Sequence, residues 1–344
     1  MPIEKTSTPV DINKRRIING EDADVMQLYP MKHTFAWEAY NVGNANHWLP
    51  TEISMQRDIE HWKSPTFLTP EEREAFQTVL GFFTTADSIA ANNIVIAFYK
   101  HISSPECRMY MLRQAYEEAI HTHAYQYIVE SLALDEGKIF NMYREVDAIY
   151  NKASFVLTFN EGIFNPEFKT GTFENDQKFL ENMCVFALIL EGIFFYSSFA
   201  VMFGFQRQNK MMGSAEQIQY IMRDESQHLN FGINMINTIK EEQPELWTPE
   251  FQQHIVNLVR EAATLEYTYA QTVFPKGIFG MNAEGFKQYI EYIADRRLSR
   301  VGLPLQFNVT NPFPWMSEAI DLSKEKNFFE TRVTEYQTGG TLDW

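Results

Sequence analysis

Apolar positions along this chain recur at three- and four-residue intervals over most of its length, and alternating apolar–polar runs are nearly absent, so the pattern predicts helices. Helices are expected over about 71–101, 104–133, 138–151, 174–207, 214–242, 249–274 and 283–301. Two starts are sharply marked. Thr69-Pro70-Glu71-Glu72 and Thr248-Pro249-Glu250 each set a capping Thr ahead of Pro and of acidic first-turn residues, where unpaired N–H groups and the helix dipole favour them. The first seventy residues, broken by Pro, Asn and Gly, read as an extended wrap with one or two short helices. Beyond about 302, Pro304, Pro312 and Pro314 end regular structure, and the polar stretch KEKNFFETRVTEYQTGGTLDW reads as mobile. The organisation expected is an extended segment over 1–30, one helical domain over 31–320 and a flexible tail over 321–344.

Composition narrows the partners. The 344 residues are 45% hydrophobic, enough for a substantial core. There are 29 Lys+Arg against 45 Asp+Glu, a formal charge of −16 with no basic cluster, so nucleic acid is not an expected partner. Cys107 and Cys184 are the only cysteines; they make no disulfide framework and no CxxC motif, which points to a reducing, cytoplasmic setting. The N-terminal MPIEKTSTPVDINKRR lacks the apolar stretch of an export signal. From Met183 to Phe205 the chain is long and apolar enough to cross a bilayer, yet Glu191 lies near its middle and no basic anchor precedes it. No membrane association is expected: an all-round hydrophobic helix also suits the centre of a soluble helical protein. The carboxylate inside it then needs a partner.

Two Glu-x-x-His motifs supply one. Glu118-Ala-Ile-His121 and Glu225-Ser-Gln-His228 each place a carboxylate and an imidazole on one helix face, because positions three apart are neighbours there. One such motif is weak evidence. Each, however, is preceded one helix earlier by an acid in an apolar context, Asp87 and Glu191, so the pattern of acid helix followed by Glu-x-x-His helix occurs twice. Folded as a four-helix core, the copies bring four carboxylates and two imidazoles together, the pattern of ferritin-like dinuclear carboxylate bundles. Two divalent cations balance four buried negative charges, and the oxygen-rich, nitrogen-containing donors suit iron or manganese better than zinc. The fold expected is therefore all-α, a ferritin-like bundle with a dinuclear metal site. Tyr125 lies near the face of Glu118 and His121, while Phe195, Phe199 and Ile221 share faces with Glu191 and Glu225, so an oxidisable phenol is expected in a dry hydrocarbon pocket. Tyr116 and Tyr127, on other faces of the same helix, read as core.

Asp87, Glu118-x-x-His121, Tyr125, Glu191 with Phe195 and Phe199, and Ile221-x-Arg223-Asp224-Glu225-x-x-His228 together resemble the small subunit of class I ribonucleotide reductase, over about residues 25–340. The resemblance implies that Asp87, Glu118, His121, Glu191, Glu225 and His228 hold two metal ions, that Tyr125 carries a radical, and that Phe195, Phe199 and Ile221 line its pocket. It also implies a relay through Asp224, Trp48 and a tail tyrosine, for which Tyr336 is the candidate. The implied activity is delivery of an oxidising equivalent to a large catalytic subunit that reduces ribonucleotides, with docking through the C-terminal tail and with a homodimer. Two iron ions are the first choice of cofactor, with dimanganese or manganese–iron open. Tyr125 and the short Asp87 point away from the branch that has phenylalanine at the radical position. Gln114 stands where some members have tryptophan and receives no redox role. Two other readings use the same ligands: a di-metal oxidase or monooxygenase with its own organic substrate, and an iron-storage bundle.

Overall fold

The computed structural model describes residues 11–21 and 27–316. Tyr336 and the tail over 321–344 lie outside the described residues. The first helices are short: α1, Thr34–Ala45, and α2, Gln56–Lys63. The long elements follow as α3, Pro70–Asn92; α4, Pro105–Ser131; α5, Glu136–Glu145; α6, Asp147–Phe164; α7, Phe173–Cys184; α8, Phe195–Arg207; α9, Met212–Glu242; α10, Pro249–Val273; and α11, Ala283–Arg300. Among the described residues the only β pairings are single bridges, Ile18 with Ile102 and Ile278 with Met281.

Several starts form as the sequence dictates. Thr69 and Glu72 close a capping box at α3, with Glu72 N donating to Thr69 Oγ1 at 3.1 Å and Thr69 N donating to Glu72 Oε2 at 3.0 Å. Thr248 accepts from Phe251 N at 3.2 Å to cap α10. The start of α9 is capped from outside its own segment. Met211 precedes it in a left-handed conformation, and the buried Asp58 of α2 accepts from the backbone of Gly213 at 2.9 Å and of Ser214 at 2.7 Å. Gly213 is required there, since a Cβ would lie 2.5 Å from the Ser54 carbonyl oxygen.

Six of the seven expected helices match within two residues, but 138–151 does not. The chain breaks at Val146, which is extended at φ −104° and ψ 104°, and α6 then runs on to Phe164. Met142 and Ile149 are both buried and seven residues apart, so the inward-facing pattern passes through the break unchanged and no Gly or Pro marks it. Two π-helical stretches were also not anticipated. Asn93–Phe98 extends α3, and Val185–Phe194 joins α7 to α8 into one rod.

The rod explains the apolar run. Its 18-residue hydrophobic window is 100% buried by other parts of the protein, and that of the α3 rod, Pro70–His101, is 67% buried. Every residue of Val185–Phe194 is buried. Burying one such Leu or Phe contributes about 1.5–3 kcal/mol, so this segment anchors the core. The α3 rod, α4, the α7–α8 rod and α9 form the four-helix centre, with α5, α6, α10 and α11 packed outside it. The N-terminal segment is tied on by the end of α9, where Glu242 accepts from Ile17 N at 2.8 Å and pairs with Lys32 at 2.6 Å.

Candidate metal centre

Four helices each deliver an acid to one point. Asp87 comes from α3, Glu118 and His121 from α4, Glu191 from the π-helical stretch, and Glu225 and His228 from α9. Their ligand atoms form two groups, Asp87–Glu118–His121–Glu225 and Glu118–Glu191–Glu225–His228, each with its ligand atoms within 4.8 Å of one another. Glu118 and Glu225 belong to both groups, as ligands shared between two ions would. None of the six side chains is more than 1% exposed.

The polar atoms of this cluster lack ordinary partners. Both oxygens of Asp87, Glu118 and Glu225, Oε2 of Glu191, and Nδ1 of His121 and His228 have no hydrogen-bond partner among the described residues. Each such group would carry a penalty of several kcal/mol if nothing else engaged it. Burial, reinforced by the Glu118 charge, pushes Asp87 well above the usual carboxylate range, and burial does the same to Glu191. Burial pushes Glu225 upward too, but His228 and His121 hold it below its ordinary range. Four ionised carboxylates therefore require cations between them, and the orphaned oxygens and nitrogens are the donor set that a pair of divalent ions fits.

The outer sides of the imidazoles are engaged crosswise. His121 Nε2 lies 3.3 Å from Asp224 Oδ2 on α9, and His228 Nε2 lies 2.8 Å from Glu117 Oε2 on α4. Each carboxylate fixes its histidine with Nε2 outward, leaving Nδ1 to face the cluster. Asp224 is itself held by Arg223, 3.2 Å from Oδ1, and Glu117 by Arg113 Nε at 3.0 Å. Burial raises the Asp224 carboxyl, yet the His121 hydrogen bond and the Arg223 charge hold it below its ordinary range. Sequence reasoning singled out Asp224 and missed Glu117. The signal was present: in both motifs an acid immediately precedes the Glu, Glu117-Glu118 and Asp224-Glu225.

From Asp224 the contacts lead away from the cluster. Trp48, 5% exposed, donates Nε1 to Asp224 Oδ2 at 2.8 Å, and its ring stacks on Tyr220 with centroids 5.3 Å apart. His121, Asp224 and Trp48 are thus joined through one carboxylate oxygen. Gln114 Nε2 donates to Glu191 Oε1 at 2.8 Å, a positioning contact.

Tyr125 is fully buried and its hydroxyl has no hydrogen-bond partner among the described residues. Burial, then the Asp87 charge, pushes the phenol well above its usual range, so it stays protonated at neutral pH. The ring stacked on it is Phe83, with centroids 5.4 Å apart and planes 8° apart, a residue the spacing argument did not select although it lies one turn before Asp87. Phe195 and Phe199 pack on Phe83 at 5.9 Å and 5.4 Å. Ile221 is buried on α9, one turn before Glu225.

A helical bundle whose core gathers four carboxylates and two histidines into two overlapping ligand groups is of the ferritin-like kind, with a buried cluster that fits a dinuclear metal site. The chain belongs to the ribonucleotide reductase small-chain family, whose model matches residues 25–312. It is 52% identical over 335 residues to a ribonucleoside-diphosphate reductase subunit beta of Chlamydia pneumoniae, covering 97% of this chain and 96% of that one. A small chain from Plasmodium falciparum is 30% identical, with 96% and 90% covered. Among solved structures, a ribonucleotide reductase R2 subunit from Clostridium botulinum superposes with a TM-score of 0.80 at 28% identity, covering 89% of this chain and 94% of that one. The dimanganese(II)-NrdF of Streptococcus sanguinis, at 20% identity, 84% and 96% coverage and a TM-score of 0.71, shares the fold. Family and relatives make this chain the small subunit of a ribonucleoside-diphosphate reductase, which implies a large-subunit partner. They do not favour an independent oxidase or monooxygenase.

Proposed function

We propose that this chain generates and holds a radical on Tyr125 and passes its oxidising equivalent to the large subunit. Asp87, Glu118, His121 and Glu225 would hold one ion and Glu118, Glu191, Glu225 and His228 the other; iron is the first choice, with manganese the alternative for the same donors. The bound ions supply oxidising power drawn from dioxygen or a reduced oxygen species. Tyr125 would give up one electron to that oxidised centre and its phenolic proton toward the Asp87 carboxylate together, because burial makes the phenolate too costly to form first. Phe83, Phe195, Phe199 and Ile221 keep water and abstractable polar hydrogens away from the oxidised ring.

The observation that carries this reading is a fully buried phenol, stacked on Phe83 and electrostatically coupled to Asp87, beside a carboxylate–histidine cluster with orphaned donor atoms. The Trp48–Asp224–His121 hydrogen bonds support an exit path for the equivalent. We extend that path to Tyr336 in the tail, assign docking on the large subunit to the tail, and expect a homodimer.

Anaerobic loading with ferrous iron followed by oxygen should give a tyrosyl paramagnetic resonance signal in the wild type and none in Tyr125→Phe with equal metal content. Metal-loaded protein that gives no tyrosyl signal with iron and oxygen, or with manganese and superoxide, would remove Tyr125 from this role. Trp48→Phe should keep the signal and lose reductase turnover with the large subunit at least a hundredfold.

A further inference from the structure

Of the six clustered side chains, Glu191 alone is carried by a stretch that is not α-helical. Within Val185–Phe194 the backbone is π-helical, and a Cβ on Gly192 would lie 2.9 Å from the carbonyl oxygen of Ala187, five residues back. A π-helical stretch is less favourable than an α-helix of the same residues, so it persists only where surrounding groups hold it.

Two buried cations from outside the bundle meet the backbone just past Glu191. Arg297 on α11, 5% exposed, donates Nε to the Gly192 carbonyl at 2.7 Å, and its guanidinium lies 4.6 Å from the centre of the Tyr196 ring. Lys152 on α6, 1% exposed, donates Nζ to the Phe194 carbonyl at 3.2 Å. Its ammonium sits over the rings of Phe82 at 3.4 Å and Tyr269 at 3.9 Å, and pairs with the buried Glu266 of α10 at 2.6 Å. Glu266 also accepts from the Ser197 hydroxyl on α8. Three outer helices thus converge on the six residues that follow Glu191.

Burying these charges carries a desolvation penalty of several kcal/mol each, and hydrophobic replacements of like volume often stabilise a core as well or better. What an aliphatic side chain cannot do is select which carbonyl it touches. One residue is about 100° of helix rotation, so a slip of the π-helical stretch by a single residue would swing Glu191 off the ligand cluster. We propose that Arg297 and Lys152 are positioning residues that hold the π-helical register and thereby the aim of Glu191. The inference rests on the reading of Glu191 as a metal ligand.

The test uses the full-length protein with Arg297→Met and, separately, with Lys152→Met joined to Glu266→Gln, which removes the second cation without stranding its buried carboxylate. Amide hydrogen exchange over 185–197 should speed up at least tenfold relative to α4 and α9 in the same sample. Manganese(II) titration should show the ion bound by Glu191 weakened at least tenfold and the other ion near wild type. Arg297→Lys, whose ammonium can still reach the carbonyl, should restore both readouts to within threefold. Unchanged exchange over 185–197 in both variants overturns the proposal, as does faster exchange with both ions bound at wild-type affinity. Glu191→Gln is the control: if it leaves both affinities intact, the ligand reading fails, while exchange still decides whether the cations hold the register. Should Arg297→Met not fold, the Lys152→Met/Glu266→Gln protein decides.

Discussion

At the scale of single residues, the most informative are the two acids behind the histidines. Glu117 is predicted to matter as Asp224 does: Glu117→Ala should weaken the ion near His228 by about 10–100-fold, read by metal titration, with the other ion little changed. An unaltered affinity would show that His228 is oriented by other contacts. Sequence inspection singled out the six clustered side chains because Glu-x-x-His has a fixed helical meaning; the acid before each motif Glu marks Glu117 as it marks Asp224, but the partners of Glu117 and Phe83, His228 and Tyr125, lie on other helices. His101 gives a pH prediction. Its ring lies edge-on to Phe168 and Phe179, and burial, with the Lys100 charge adding, lowers its pKa to about 4 from 6.5. The folded state thus disfavours the charged form, so this residue's contribution is complete above pH 6.5 and is lost as pH falls toward 4. The full effect is at most about 3 kcal/mol. Denaturant unfolding at pH 5 and at pH 7.5 should show a smaller difference in His101→Phe than in wild type; equal differences would contradict the assignment.

At the scale of elements, helix starts were legible because capping is a local code. Thr69→Ala should lose about 1 kcal/mol, a drop of about 1–2 °C in Tm, by opening the capping box while Glu72 keeps its 2.6 Å contact to Lys210. A calorimetric Tm equal to wild type would mean that tertiary packing alone sets that start. The break at Val146 was illegible because apolar residues on both sides keep one phase. The π-helical stretches were illegible for a related reason: in Val185–Phe194 every residue is buried, so no polar position reports which way the turn has widened. The cap of α9 was hidden differently. Its acceptor, Asp58, lies on α2, far away in sequence.

At the scale of the molecule, the long apolar run and the acid inside it were a contradiction in the sequence that the assembled core resolves, since the run is covered by helices and the acid faces other ligands. Removing the ions should destabilise the whole fold. With both sites filled at about a hundred times their dissociation constants, linkage contributes about 5 kcal/mol, and Tm should exceed that of chelator-treated protein by about 5–8 °C. A Tm unaffected by chelator would mean that the carboxylates find another balance. The crossed braces behind the histidines carry a last consequence. They join α4 to α9 through hydrogen bonds that bypass the cations altogether, so substituting one transition element for another changes the contents of the cage and leaves its walls standing.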